Sequence, residues 1–279
     1  MTDWREENIV RWDRAAAGWA ATREAFQRVN LPVSHWMVEA IHPQPGHRVL
    51  ELAAGLGDTG LLAAELVKPA GSVLITDASD GMVEAARAHA EELGADNVEV
   101  RAMQAEWIDV PAASVDAVLC RYGYMLLADP ETALRETRRV LKAGGRVALA
   151  VWDVPERNPW ATIFRAAAEE AGISSPPAPN DAGQFALAAP GAVEELLQMT
   201  GFDDVEVEGL DLAFEAESVD AWWDVVLQTS ASMAEAVRGL APAEHYKLRD
   251  ALDAGYAEFV RDDGSVLLPA RALVAAATA

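Results

Sequence analysis

Residues 48–60 read R-V-L-E-L-A-A-G-L-G-D-T-G. The opening Arg48–Ala53 is apolar and short, as a buried strand requires. Ala53, Ala54, Gly55 and Gly57 then carry little or no side chain. The continuation T-G-L-L-A-A-E-L-V, residues 59–67, has helical character. A strand that ends in glycines and turns into a helix lets backbone approach a ligand closely. In open α/β sheets, ligands bind at the carboxyl ends of the strands, where such turns lie.

Working outward, the same rhythm repeats. A P-A-G-S turn leads into a second strand, Ser72–Asp77, and Asp77 follows the glycine loop at the distance where an acid can bind ribose hydroxyls. An N-cap is the plainer role for Asp77 or Ser79 taken alone; the upstream loop favours ribose, and the pair together predicts a nucleoside-containing cofactor. Asp80–Leu93 reads as a helix with Met82, Ala85, Ala86 and His89 on one face, which makes His89 a core-edge histidine. A third strand is expected at Val98–Met103, followed by Gln104, Ala105, Glu106 and Trp107. The fourth is V-D-A-V-L-C-R, Val115–Arg121, with Tyr122 and Tyr124 just past its end. A helix over Pro130–Leu141 stops in K-A-G-G, and Arg146–Trp152 forms the fifth strand. Glu51 is the odd residue, because a carboxylate inside a covered parallel strand needs a partner or a cationic ligand group.

The flanks follow different rules. Residues 4–28 predict a helix whose Ile9, Trp12, Ala16 and Trp19 form one apolar stripe. It either packs on the core or, with its two tryptophans, covers a cofactor pocket. A separate helix is expected at Val33–Ile41, ended by Pro43, Pro45 and Gly46. After residue 152 the pattern predicts helices at Trp160–Ala171 and Gly191–Thr200, a Pro-rich loop at Ser174–Asp181 and a strand at Asp203–Leu212. Residues 218–262 are mainly helical, and Ser265–Val274 is a final strand weakened by Pro269 and the following alanines. The expected organisation is one domain: N-terminal helices or lid at 1–45, a cofactor-binding core at 46–152, and sheet completion with helical insertions at 153–279.

Composition bounds the partners. The 279 residues include 45 acidic and 22 basic side chains, a formal charge of −23. Such a surface repels phosphate backbones, so nucleic acid is not an expected partner. The lone Cys120 leaves no internal disulfide and argues against a cysteine-based metal site, and no metal is expected. The charged M-T-D-W-R-E-E start and the lack of a long apolar run predict a cytoplasmic protein without a membrane span.

The chain resembles the class I S-adenosylmethionine-dependent methyltransferases, most of all the small-molecule group that includes the quinone C-methyltransferases. The resemblance rests on V-L-E-L-A-A-G-L-G at 49–57, T-D at 76–77, Q-A-E at 104–106, S-V-D-A-V-L-C-R at 114–121 and R-R-V-L-K-A-G-G-R at 138–146. It implies a Rossmann-like, mostly parallel seven-stranded α/β sheet in the order 3-2-1-4-5-7-6, with helices on both faces and helical lid insertions. It also implies S-adenosylmethionine as cofactor. Gly55 and Gly57, with Ala53 beside them, would meet the methionine portion, and Glu51 its amino group. Asp77, next to Ala78, would bind the ribose, and Met82 would pack on adenine. Gln104, Ala105 and Glu106 would present the adenine edge, and Arg121 would place backbone near the amino group. Two residues depart from the pattern: Ala53 stands where glycine is common and needs a negative φ, and Gln104 stands where aspartate is common.

Methyl transfer from a sulfonium needs alignment and water exclusion more than a catalytic motif. For a hydroxyl acceptor, Tyr122, Tyr124, His35 and His245 are the candidate bases, the tyrosines being best placed. The expected acceptor is a small apolar or aromatic metabolite. Two other readings fit the same residues. Gly55, Gly57 and Gly60 match the G-x-G-x-x-G spacing of nicotinamide-dependent oxidoreductases, although Glu51 would lie awkwardly near a pyrophosphate. A methyltransferase-like module that binds S-adenosylmethionine without turnover is the other.

Overall fold

The structure is a computed structural model and describes residues 4–172 and 182–279. In chain order the helices are α1 (Trp4–Ala40), α2 (Asp58–Leu66), α3 (Asp80–Glu92), α4 (Pro130–Val140), α5 (Pro159–Glu170), α6 (Ala192–Met199), α7 (Val219–Thr229), α8 (Ala231–Arg238) and α9 (Pro242–Tyr256). The strands are β1 (Arg48–Glu51), β2 (Ser72–Asp77), β3 (Val98–Ala102), β4 (Val115–Arg121), β5 (Leu141–Trp152), β6 (Asp203–Ala216) and β7 (Val266–Thr278).

They form one seven-stranded sheet in the order β3-β2-β1-β4-β5-β7-β6. β1 to β5 run parallel, and β7 lies antiparallel between β5 and β6. The expected order and class are therefore present. Right-handed crossovers place the helices on both sheet faces, because the chain moves outward from β1 in one direction and then returns to β4 on the other side. The reversal between β1 and β4 puts the loops after these two strands side by side.

Covered parallel strands need apolar side chains on both faces. β1 buries Val49 and Leu50, and β4 buries Ala117, Val118, Leu119 and Cys120 completely. β3 and β6 are the edges, and the largely exposed D-D-V-E-V-E segment of β6 carries acids that discourage pairing with another chain. α3 starts where Ser79 accepts the Met82 N–H, and α4 where Asp129 accepts the Thr132 N–H, each an N-cap.

Several expected boundaries change. The two N-terminal helices are one 37-residue helix that passes through Pro32. Burial of Val33, Ser34, Met37 and Val38 beyond the proline carries the helix through a residue that alone would break it. α4 ends at Val140 with Leu141 already extended, so K-A-G-G is no helix stop but the start of β5. The last strand runs on through its alanines to Thr278, where Ala275, Ala276 and Ala277 are fully buried between β5 and β6. Pro269 pairs only with β6, since β5 accompanies β7 from Ala272 onward, so its missing N–H leaves no gap in the middle of the sheet. The Pro-rich loop expected at Ser174–Asp181 lies outside the described residues. No described helix is long and apolar enough to cross a membrane.

Candidate functional site

The glycine loop after β1 is tied down by its neighbours. The Ala54 N–H donates to the Thr76 carbonyl at 2.9 Å, and the Gly57 N–H closes back on the Ala54 carbonyl at 3.0 Å. The Gly55 N–H donates to Asp77 Oδ2 at 2.9 Å, while Asp77 Oδ1 accepts the Ser79 N–H at 2.9 Å. Asp77 thus ends β2 as a carboxylate with backbone N–H partners, its pKa raised by desolvation against the pull of those bonds. Gly55 has φ +55°, and a Cβ there would meet nothing within 4 Å. The loop therefore keeps an open face beside a carboxylate, as a ligand with ribose hydroxyls requires. This donor set fits the nucleoside cofactor that the sequence implies.

Ala53 adopts φ +47°, so the expectation of a negative angle there is corrected. The strained conformation costs about 1–3 kcal/mol, and it brings Ala53 against Gly123, where any Cβ would collide with Ala53 and with Cys120 Sγ. The loops after β1 and β4 are packed to the backbone at this point.

Glu51 is fully buried, with its Oε2 accepting the Gly60 N–H of α2 at 2.9 Å. Burial pushes its pKa up to about 8, against the opposing charge of Arg121 and the Gly60 bond. A Cβ at Gly60 would collide with that carboxylate. The third glycine of the G-x-G-x-x-G spacing is thus required by strand-helix packing onto Glu51, which explains it without a pyrophosphate.

Asp58 opens α2 and is buried with three partners. Arg23 of α1 lies at 2.8 Å, Arg121 at 3.5 Å and His89 Nδ1 at 4.0 Å. The Arg121 guanidinium also donates to Ser34 of α1 at 3.0 Å. Met82 is buried with Leu56 and Ala16, and Trp12, Trp19 and Ala85 pack on them. Ala105 and Glu106 are both buried after β3, Gln104 and Ala78 are partly exposed, and Glu106 faces Arg5 of α1 at 3.4 Å.

α1 accordingly lies across the carboxyl ends of the strands. Besides Arg5, Arg23 and Ser34, its Asp13 Oδ1 accepts the Gly81 N–H at 2.7 Å and the Ser79 hydroxyl at 3.1 Å. Its Asn8 donates to the Leu126 carbonyl at 3.3 Å, and its Asn30 accepts the Tyr122 hydroxyl at 2.8 Å. The apolar stripe foretold the packing of Trp12, Ala16 and Trp19. The polar anchors Asp13, Arg23 and Asn30 carried no sequence signal, because each depends on a loop distant in the chain. Asp58 did carry one, standing directly after the glycine loop.

Beyond the loops lies a cluster of rings. Tyr122, at φ +61°, stacks on Trp152 with centroids 4.2 Å apart and planes 10° apart. Trp152 meets Trp160 at 4.9 Å, Trp160 meets Phe214 at 4.8 Å, and Phe214 meets Trp222 at 5.2 Å. Phe26 of α1 joins through Phe214 at 5.5 Å and leads to Trp19 at 4.6 Å. The rings come from α1, β4's end, β5, α5, β6 and α7, and they adjoin the loops just described.

The candidate bases separate. Tyr124 is fully buried with its hydroxyl 2.6 Å from Thr137 Oγ1, away from any open surface. His35 and His245 are exposed, His35 on the outer side of α1 and His245 at the rim near Trp223. The structure thus places Tyr124 in the core and the two histidines at the surface. Tyr122 is half-buried beside it, yet its hydroxyl donates to Asn30, and burial raises its pKa far above the usual range. As the structure stands, its ring forms a wall stacked on Trp152 and its hydroxyl is engaged with Asn30.

Comparison with known proteins adds a direct result. Residues 49–145 match the family described as a methyltransferase domain. The chain is 30% identical over 219 residues to the nocamycin O-methyltransferase of Saccharothrix syringae, covering 75% of this chain and 77% of that protein. It is 35% identical over 120 residues to a ubiquinone/menaquinone biosynthesis C-methyltransferase of Pasteurella multocida, which is 43% of this chain and only 45% of that relative. Among solved structures, the YcgJ protein from Bacillus subtilis superposes with a TM-score of 0.61 at 19% identity, over 88% of this chain and 97% of that one.

Proposed function

The chain belongs to the class I S-adenosylmethionine-dependent methyltransferases that act on small molecules, and we propose that its acceptor is a flat apolar or aromatic metabolite held by the ring cluster. The carrying observation is the stack of Tyr122 on Trp152, continued by Trp160, Phe214 and Trp222 beside the glycine loop. Rings of this kind offer broad apolar faces that bind planar groups by burial and offset stacking. A relative sharing most of its length with this chain is named for O-methylation, and shorter matches for quinone C-methylation. Both names are compatible with such an acceptor. The formal charge of −23 disfavours a nucleic acid acceptor.

In this reading Asp77 takes the ribose hydroxyls on the lone pairs left free by its N–H partners. Gly55 and Gly57 give the cofactor room. Met82 and Leu56 form the adenine floor, and Ala105, Glu106 and Gln104 its edge. Glu51 and the backbone at Arg121 face the amino group. When bound, the sulfonium supplies an already activated methyl group. The protein's own contribution is then alignment and the exclusion of water. α1, held over the strand ends by Asp13, Arg23 and Asn30, serves as the cover, and the strained Tyr122 backbone turns its ring into the acceptor side. One domain, with 1–45 as cover, 46–152 as cofactor core and 153–279 as acceptor side, is the division this implies.

The test is calorimetric titration with S-adenosylmethionine, S-adenosylhomocysteine and NAD(H), followed by mass spectrometry of a panel of phenols, quinols, enols and linear polar amines for a gained methyl. Binding of the S-adenosyl compounds and methylation confined to planar acceptors is expected. Methylation of the linear polar amines alone would overturn the acceptor assignment.

A further inference from the structure

His89 lies in the last turn of α3, on the buried face with Met82, Val83, Ala86 and Ala90. Its Nδ1 is 3.0 Å from the Leu56 carbonyl of the glycine loop. A carbonyl oxygen only accepts, so Nδ1 carries the hydrogen. Nε2 is buried without a hydrogen-bond partner. Packing alone would be better served here by an apolar side chain, which would bury no unpaired nitrogen. The residue makes sense through what Nδ1 holds.

Leu56 stands between Gly55 at φ +55° and Gly57 at φ +77°. Two left-handed glycines flanking one residue form a conformation with little intrinsic preference, so the chain needs outside anchors to stay in it. Asp77 anchors the Gly55 N–H from the β2 side. From the α3 side, the anchor is His89. Because a trans peptide points its carbonyl and N–H in opposite directions, holding the Leu56 carbonyl also sets the Gly57 N–H, which closes the turn on Ala54. The Leu56 side chain itself is buried in one cluster with Met82 and Ala16.

We propose that His89 is a positioning residue for S-adenosylmethionine, holding the glycine loop in its binding form through the Leu56 carbonyl. This rests on the assignment of that loop to the cofactor. His89 itself touches no reacting atom, so its influence falls on cofactor affinity and not on the transfer step.

The experiment compares His89→Leu, His89→Asn and His89→Gln with the unaltered chain. The Asn amide nitrogen takes the place of Nδ1, whereas the Gln amide reaches the Nε2 position and misses the carbonyl. S-adenosylhomocysteine affinity is read by calorimetry, folding by circular dichroism, and KM and kcat on any acceptor found. His89→Leu and His89→Gln are each expected to weaken S-adenosylhomocysteine about 10-fold, near one hydrogen bond's worth. KM for S-adenosylmethionine should rise in step while kcat at saturation stays within about twofold. His89→Asn should recover most of the affinity. Should His89→Leu fail to fold, the His89→Asn and His89→Gln pair still decides. Equal affinity in those two folded variants, or an affinity loss that tracks melting temperature alone, would overturn the proposal. Asp77→Ala serves as the control on the underlying reading. If it binds S-adenosylhomocysteine as tightly as the unaltered chain, the cofactor assignment fails and this inference with it; if it weakens while His89→Leu does not, only the role of His89 fails.

Discussion

The proposed cofactor side and the proposed acceptor side of this site are built from different materials. On the cofactor side, the contacts are backbone N–H groups, glycines and carboxylates from consecutive β-α units, with Asp77, Gly55 and Ser79 bonded within 25 residues of one another. On the acceptor side, the contacts are rings drawn from elements as far apart as Phe26 and Trp222. A cofactor that never changes can be met by fixed local chemistry. An acceptor that differs between enzymes is met by surfaces that vary with the inserted helices. The comparison teaches that damage should separate: alterations in the first region should strike cofactor binding, and alterations in the second should spare it.

The largest expected effect is that of Gly55→Val. A β-branched residue at φ +55° is strained, and its methyls enter the open face beside Asp77. S-adenosylhomocysteine affinity should fall by about 100-fold or more, since strain and lost space add. A folded variant that keeps its affinity on calorimetry would reduce the loop to a turn and dissolve the contrast.

Asp77→Ala comes next, with a loss of about 1–3 kcal/mol of cofactor affinity from its charge-assisted bonds. Unchanged affinity would remove the ribose role.

A pH series sharpens the cofactor side further. The Glu51 pKa is raised to about 8 in the folded chain from an ordinary 4.5. The folded state therefore holds a proton that the unfolded state releases. That contribution to stability is full below about 4.5 and is lost as pH rises through about 8. Thermal melts of the protein without cofactor should fall from pH 5 to pH 9, and Glu51→Gln should flatten that slope. An unaltered slope in the variant would mean that Glu51 is charged and paired throughout.

The smallest effect is expected from Tyr122→Phe, which deletes one hydroxyl and keeps the stacked ring. That hydroxyl donates to Asn30, so kcat should change by less than about threefold and S-adenosylhomocysteine affinity not at all. A drop of a hundredfold or more in kcat would make Tyr122 the general base after all and give the acceptor side a catalytic group.

How much of this was readable in the chain depends on the distance over which each feature is decided. The glycine loop, Asp77, Met82 and the Glu106 segment stood out because each follows a strand directly, so short-range spacing places them at the same sheet edge. Predicted strands β2 and β4 match the structure residue for residue. The errors cluster where remote packing overrides local preference. The local pattern predicts separate helices at 4–28 and Val33–Ile41, and burial of the residues after Pro32 makes them one. K-A-G-G suggested a helix stop, and pairing of β5 with its neighbours drew it into the sheet. Ala53 was expected at negative φ, yet it sits in the left-handed region, close enough to Gly123 that no Cβ would fit there.

By itself, then, the sequence determined the α/β class, the strand order through its family resemblance, and the residues proposed to meet the cofactor. These follow from apolar periodicity and from turn chemistry, which act over a few residues. Only the tertiary structure decided that Tyr122 gives its hydroxyl to Asn30, that Asp13 and Arg23 fasten α1 over the strand ends, that six elements bring their rings together, and that His89 holds Leu56. Each of these is a contact between segments that no local rule links. It exists because closing the sheet and laying α1 across it bring buried polar groups within reach of one another, where every donor left unpaired would count against the fold.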